Sequence, residues 1–199
     1  MFRALRTILF LLTAVLTSAC SVFGIRTEEQ PHYSVLRTMK PFEIRQYDPY
    51  VVAATSAEGP FEKTQNGSFR ILARYIFGGN ESKQSISMTA PVVQNPKMET
   101  WTMTFSLPKK YSLSTAPKPN DPRVQLREIP AETIAVLRFS GTVNEKKVRL
   151  QEEVLKNWIL EQGDLEITDE PRLAGYDPPF TIPFLRRNEI MIPIKIKNN

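Results

Sequence analysis

The sequence is poor in the residues that carry covalent or metal chemistry. Its 199 residues include one histidine and one cysteine. These two residues support neither a Cys/His nor a Ser/His/Asp arrangement, and no cluster of metal-ligand residues is visible. A lone cysteine also cannot form an internal disulfide. We therefore expect no catalytic residues and no metal site, which favours a binding protein over an enzyme.

Long apolar runs are also missing beyond the N-terminus. The one run there, ILFLLTAVL at residues 8–16, is about half of the ~20 residues that a membrane-spanning helix needs. Arg3 and Arg6 precede the run and small residues follow it, as in a secretory signal peptide. We predict that residues 1–19 are removed. The mature charge is then +5 minus 2, or +3.

The only cysteine, Cys20, directly follows this segment. The stretch LTSAC resembles the lipobox of bacterial lipoproteins, although Thr17 stands where leucine is usual. We predict that Cys20 is lipidated and that residues 20–32 form a tether; simple signal cleavage is the alternative. Ser21 is not the aspartate that retains lipoproteins at the inner membrane. We expect a cell-envelope protein, anchored in the outer membrane and facing the periplasm.

The sequence contains no block of residues with the same charge. Charged residues make up 24% of the chain, and acids are interspersed with the lysines and arginines throughout. No stretch alternates aromatic and basic residues, as a groove for single-stranded nucleic acid would require. We therefore expect no nucleic-acid partner.

Alternating apolar and polar residues predict most of the secondary structure. A helix is expected from about residue 61 to 77, with Phe69, Leu72, Ala73 and Ile76 on its core stripe and Gly78 at its end. A second helix is expected after a capping box that opens at Thr142, and it should end at Gly163. The predicted strands are 33–38, 42–47, 51–57, 86–96, 101–107, 173–176, about 180–184, and 190–196.

The stretch ISMTAPV contains a proline that bears on its role. Ile86, Met88 and Ala90 fall on one face of a predicted strand, but Pro91 has no N–H to donate to a neighbouring strand. We therefore expect this strand at a sheet edge or a bulge, with Met88 next to the first helix.

The second half of the chain repeats the first. Residues 43–59 align without gaps to residues 125–141, an offset of 125 − 43 = 82. The aligned pairs are Ile44 with Leu126, Arg45 with Arg127, Val52 with Ile134, Ala53 with Ala135, and Gly59 with Gly141. This duplication predicts an α+β fold of two pseudo-symmetric repeats, about 33–113 and 123–197, in one domain spanning 33–199. Two α-helices should pack outside one curved antiparallel sheet.

Seven stretches resemble the SOUL haem-binding protein family in the same order: EIRQY, VVAAT, GSFRILARYIFGGN, ISMTAPV, FSLPKKY, FSG and YDPPFTIPFLRRNEI. The resemblance covers residues 33–196. It implies a distorted antiparallel β-barrel flanked by two helices, similar to effector-binding domains. It also implies a haem or related tetrapyrrole, bound without covalent attachment in a shallow hydrophobic groove beside the first helix.

Five residues are candidates for that groove. Arg70 and Arg74 lie four apart on the first helix and could bind the two propionates, although arginines at this spacing also occur on ordinary solvated faces. Ile71 and Tyr75 could form the wall or simply extend the buried face. Met88 should close the groove from the neighbouring strand.

Iron ligation is not expected to be strong. His32 is the only histidine and lies where the tether meets the domain, and a strand methionine such as Met88 more often fills an irregular gap. We therefore expect binding by apolar contact, without a strong axial ligand.

Two other functions stay open. The chain could bind other amphipathic small molecules, or it could remove the metal from a tetrapyrrole. The second would need a proton donor, and Glu189 is the acid that the sequence offers. Arg186 and Arg187 would keep Glu189 ionised, which suits a structural ion pair better than an acid.

Overall fold

A computed structural model describes residues 27–59, 61–97 and 100–197. The predicted signal peptide, the predicted lipidation site Cys20 and residues 20–26 of the predicted tether lie outside the described residues. The strands are β1 (Tyr33–Met39), β2 (Phe42–Tyr47), β3 (Tyr50–Glu58), β4 (Val92–Lys97), β5 (Thr100–Ser106), β6 (Gln125–Ile129), β7 (Glu132–Phe139), β8 (Leu165–Ile167), β9 (Arg172–Gly175) and β10 (Asn188–Ile196). The helices are α1 (Phe61–Ile76) and α2 (Glu145–Gln162).

The strands form one curled antiparallel half-barrel, which confirms the predicted α+β fold. Nine strands follow the order β1-β2-β7-β10-β9-β4-β5-β3-β6, and β8 pairs with the end of β10. The two repeats meet where β2 pairs with β7, with Ile44 opposite Ala135. The aligned Gly59 and Gly141 both have positive φ, at 111° and 99°. In both repeats, the strand before the helix is therefore followed by a glycine with positive φ.

The two helices pack on different parts of the sheet. In α1, Leu72 and Ile76 are buried with Phe105 of β5 in one apolar cluster. In α2, Leu155 and Ile159 are buried with strands β7 and β10 in another. Full burial of each side chain of this size stabilises the fold by roughly 1.5–3 kcal/mol. The helices thus anchor the two repeats independently.

The helix ends follow the sequence in part. Gly78 has a φ of 100° directly after α1, as the predicted left-handed stop requires. The capping box at Thr142 is wrong, because the N-cap of α2 is Asn144, whose side chain accepts a hydrogen bond from the backbone N–H of Lys147 at 2.8 Å. Asparagine and threonine are both good N-caps, and asparagine is the better of the two.

The ISMTAPV stretch differs from its prediction. Its strand begins only at Val92, after a cis peptide bond between Ala90 and Pro91. The strand is not an edge, because β4 pairs with both β5 and β9. Pro91 precedes the ladder, so its missing N–H costs the sheet nothing.

A second correction concerns residues 180–184. The predicted strand is absent there, and Pro183–Leu185 form a short 3₁₀ turn instead. Pro183 withholds an N–H group within the predicted strand, and Pro178 and Pro179 withhold two more directly before it. No helix in the described part of the chain is long and apolar enough to cross a membrane.

Candidate functional site

The five predicted groove residues do not gather in one place. Ile71, Arg74 and Tyr75 lie on one flank of α1, beside residues 120–123. Met88 lies on the opposite flank, against Phe69 and Phe77. Arg70 is exposed between them. The two flanks of α1 therefore have to be considered separately.

The flank that carries Met88 is an exposed apolar patch, which we call the α1 surface. It consists of Phe69, Ala73, Phe77 and Met88 around a depression of about 40 Å³. The exposed fractions are 45% for Phe69, 64% for Phe77 and 53% for Met88. Large apolar side chains clustered at a surface mark an interaction site more often than single ones do.

Packing holds the α1 surface in place. The Phe69 ring meets the buried Phe105 ring edge-on, with the centroids 5.3 Å apart. The N–H of Ile86 donates to the carbonyl of Ile76 at 2.7 Å, which ties the segment bearing Met88 to the end of α1. Phe69 was predicted in the core stripe, but the turn of the helix leaves it only half-covered.

Arginines border the α1 surface on its helix side. Phe69, Ala73 and Phe77 form one row of residues four apart, and Arg70 and Arg74 form the next row around the helix. Both arginines are exposed. Arg70 is the nearer of the two, because Arg74 also lines the depression on the opposite flank.

The opposite flank is less suited to an apolar ligand. Its open depression of about 570 Å³ is lined by Ile71, Arg74 and the loop at residues 120–123. Tyr75 is 1% exposed and donates a hydrogen bond to the carbonyl of Pro117 at 2.8 Å, so it belongs to the core. The hydrogen bonds from Arg123 lower the pKa of Asp121 to about 2. An ion pair, not an apolar wall, borders this side.

A deeper cavity of about 560 Å³ lies elsewhere, under the segment that was predicted to be a tether. We call it the N-terminal pocket. Its apolar lining comes from Pro31, Tyr33, Pro49, Tyr50, Val51, Leu107 and Tyr111. Its charged lining comes from Glu29, His32, Asp48, Lys109 and Glu128.

Hydrogen bonds fix the N-terminal segment as a wall of this pocket. The carbonyl of Glu29 accepts from the N–H of Ala90 at 2.9 Å, and its carboxylate accepts from the N–H of Lys109 at 2.6 Å. Next to it, the carbonyl of His32 accepts from the N–H of Asp48 at 3.1 Å. Residues 29–32 are therefore part of the folded domain.

His32 is exposed, and its Nδ1 lies 2.7 Å from the Oδ2 of Asp48. It lines the N-terminal pocket and not the α1 surface. In the described residues, no three histidine, cysteine, aspartate or glutamate side chains are grouped to hold a metal ion.

The remaining candidate, Glu189, lies in a buried ionic cluster. It is fully buried and accepts two hydrogen bonds from Arg45, at 2.8 and 3.0 Å, one from Arg187 at 2.9 Å and one from Tyr176 at 2.7 Å. Burial alone would raise the pKa of Glu189, but its hydrogen bonds and the charges of Arg45 and Arg187 outweigh burial and hold that pKa below its ordinary value. Glu189 is thus an ionised, fully partnered carboxylate.

Sequence reasoning missed both surfaces in part. Phe77 was an available signal, since a phenylalanine directly before a Gly-Gly stop lies outside the core stripe. The N-terminal pocket gave no local signal, because its lining comes from five separated stretches that only the fold brings together.

Comparison with known proteins gives a consistent result. The model of the SOUL heme-binding protein family matches residues 28–193. The chain is 27% identical over 167 residues to Heme-binding protein 1 of Xenopus tropicalis, covering 79% of this chain and 84% of that protein. It is also 27% identical over 176 residues to Heme-binding protein 2 of Mus musculus, covering 82% and 85%.

Solved structures share the fold at low identity. The C-terminal domain of EcmrR superimposes with a TM-score of 0.62 at 14% identity, covering 82% of this chain and 98% of that domain. A hydrolase from Listeria innocua superimposes with a TM-score of 0.59 at 9% identity, covering 80% and 94%. These similarities show the fold alone.

Proposed function

The chain belongs to the SOUL heme-binding protein family, and from this premise we propose that it binds haem or a related tetrapyrrole on the α1 surface. The observation that carries the choice of surface is the exposed patch of Phe69, Phe77 and Met88 beside the row of Arg70 and Arg74. A tetrapyrrole with two propionates needs an apolar wall and cations at its rim. The α1 surface offers both.

Electrostatics favours this surface over the N-terminal pocket. Glu29, Asp48 and Glu128 line that pocket and would repel two propionates. On α1, an exposed arginine can meet a propionate in a charge-assisted hydrogen bond, weakened by salt. Each such contact should contribute on the order of 1 kcal/mol.

The iron should be held weakly. Met88 brings a thioether to the α1 surface, where most of the lining is apolar. His32 lies at the other surface, beside Asp48. We propose that apolar contact dominates, so that metal-free porphyrins bind about as well as haem.

We propose a binding role without catalysis. Removing a metal requires protons to be delivered to the ring nitrogens. Glu189, the acid considered for that step, is buried, ionised and fully occupied by its partners. It therefore supports the sheet and does not face a ligand surface.

The cellular location is also a proposal, because it rests on sequence alone. We propose that residues 1–19 direct export and that Cys20 carries a lipid anchoring the protein to the outer membrane, facing the periplasm. Cys20→Ser should then move the protein from the membrane fraction to the soluble envelope fraction. Unchanged membrane association with an uncut N-terminus would contradict the lipid anchor.

The central experiment titrates haem and a porphyrin lacking propionates into Arg70→Glu, Arg74→Glu and the double variant. The double variant should bind haem about tenfold more weakly or worse, with Arg70→Glu causing the larger single effect because it borders the apolar row. The porphyrin lacking propionates should be nearly unaffected. A matched control is Lys146→Glu with Arg149→Glu, which makes the same change of charge on the exposed face of α2.

The outcomes separate the explanations. Equal weakening of both ligands would mean that the substitutions disturb the α1 surface itself. Unchanged haem binding would place the tetrapyrrole elsewhere. If the α2 control also weakened haem binding, the effect would come from the overall charge of the protein.

A further inference from the structure

We propose that the N-terminal pocket is a second ligand site, separate from the α1 surface, and that it binds a hydrophobic organic cation. The pocket is the larger of the two, at about 560 Å³ against about 40 Å³. Small-molecule sites fall in the range of roughly 300–1,000 Å³. One small organic molecule would fill it.

The walls are suited to an apolar body. Tyr33 and Tyr50 stand on either side of the β2–β3 corner, and the Tyr47 ring packs between them at 4.9 and 6.4 Å from their centroids. Burial raises the pKa of Tyr50 above its ordinary value, so its phenol stays neutral. Leu107, 5% exposed, adds an aliphatic surface at the far side. These groups give a ligand a rigid and mostly uncharged lining.

The charges of the pocket select for a cation. Three carboxylates, those of Glu29, Asp48 and Glu128, face one lysine, Lys109, and the exposed His32. This negative balance stands against a chain whose net charge is +5. A cation that gives up its water for an apolar lining needs such carboxylates nearby. An anion of the same shape would meet repulsion.

Two of the three carboxylates make no buried contact. The Glu29 carboxylate holds the backbone N–H of Lys109, so it belongs to the pocket wall. Asp48 instead pairs with the exposed side chain of His32, and Glu128 projects from β6, the edge strand of the sheet. Asp48 and Glu128 can therefore be neutralised without breaking a buried contact.

A short polar wall separates the pocket from the α1 surface. Thr89 and Ser106 line both, and the Thr89 hydroxyl donates to the carbonyl of Ser106 at 2.6 Å. The two surfaces are neighbours with opposite charge at their borders. Each can therefore be tested while the other serves as its control.

The experiment compares two probes of the same shape and opposite charge, tetraphenylphosphonium and tetraphenylborate. Calorimetric titration of the mature protein should give a dissociation constant for the cation at least about tenfold lower than for the anion, a difference that shrinks as salt is added. Equal binding of the two, or tighter binding of the anion, would overturn the proposal.

Variants locate the site. Asp48→Asn with Glu128→Gln should weaken tetraphenylphosphonium about fivefold or more and leave haem affinity unchanged, whereas Arg70→Glu should do the reverse. The matched control is Glu153→Gln with Glu166→Gln, two exposed acids of α2 and β8. The proposal would be overturned if the pocket variant bound the cation as tightly as the wild type, or if the control variant lost the same affinity. It would also be overturned if haem displaced the cation stoichiometrically. Displacement by haem would also move the tetrapyrrole from the α1 surface to the pocket. The other two outcomes leave the proposal for the α1 surface untouched.

Discussion

The α1 surface and the N-terminal pocket are neighbours, but they differ in shape and in the sign of the charge at their borders. The α1 surface is shallow, displays half-exposed Phe69 and Phe77, and is bordered by arginines. The N-terminal pocket is deep, is lined by buried or half-buried tyrosines, and is bordered by carboxylates. Both offer apolar contact, so apolar area does not distinguish their ligands. The sign of charge at the border does.

The two surfaces also differ in origin. The α1 surface comes mainly from one helix, where residues four apart share a face. The N-terminal pocket comes from segments at residues 29–33, 48–51, 89, 106–112 and 128, far apart in sequence. The first should depend on local side chains, whereas the second should depend on the whole sheet.

We expect the largest effect from loss of the Glu189 carboxylate, because both surfaces lie on the sheet that its buried ionic cluster stabilises. Glu189→Ala removes the carboxylate that pairs with the partly buried Arg187 and with the buried Arg45, which keeps only the half-buried Glu43 as an ionic partner. The free energy of unfolding should fall by about 3–5 kcal/mol. Denaturant unfolding measures this, with exposed Glu166→Ala as the control. A loss below about 1 kcal/mol would show that the cluster is not needed for stability.

Acid should reproduce part of that loss. The folded pKa of Glu189 lies below its ordinary value of 4.5, so its stabilisation is fully present above pH 4.5 and is lost as the pH falls through the folded pKa. Unfolding at a series of pH values should therefore show a gap between the wild type and Glu189→Gln that narrows below pH 4.5. A constant gap down to pH 2 would assign the acid sensitivity to other carboxylates.

Making only the α1 surface polar tests whether the two surfaces bind their ligands independently. Phe77→Asp with Met88→Asp should weaken haem about tenfold or more, near 1.4 kcal/mol, through lost apolar contact and added negative charge. Thermal stability should change little, because both side chains are more than half exposed. The control is Leu160→Asp, 70% exposed on α2. Tetraphenylphosphonium binding that fell in parallel would show that the two surfaces are not independent.

The smallest effect is expected at the single histidine. His32 is exposed and lies at the pocket, so His32→Ala should leave haem affinity within about threefold, under ~0.7 kcal/mol. Absorbance titration in the Soret region measures this. A hundredfold loss together with a changed Soret band would make His32 an iron ligand and merge the two surfaces into one site.

Local sequence pattern was sufficient for most of the fold. The period of two predicted β2 with both its ends correct, at Phe42 and Tyr47. The glycines at 78 and 163 marked both helix ends, because an L side chain there would be strained at positive φ. Each of these features depends on neighbours in sequence, so each could be predicted.

The errors occurred where competing residues or distant partners decide. Asn144 replaced Thr142 as the N-cap of α2 because the chain offers two capping residues within one turn. Pro91 was placed at an edge because its missing N–H was counted within the strand, whereas the strand starts after it. Met88 lies across α1 from Ile71, a separation that depends on how the helix packs on β5.

The sequence by itself determined the repeat, the alternation that builds the sheet and the arginine row on α1, because each is set by the spacing of residues along one element. Only the tertiary structure decided the charge environment of each group. It buried Glu189 between Arg45 and Arg187, and it turned residues 29–32 from a tether into the wall of a cavity. Burial and long-range pairing fix which carboxylates are partnered and which face open space, and these are properties of the folded chain as a whole.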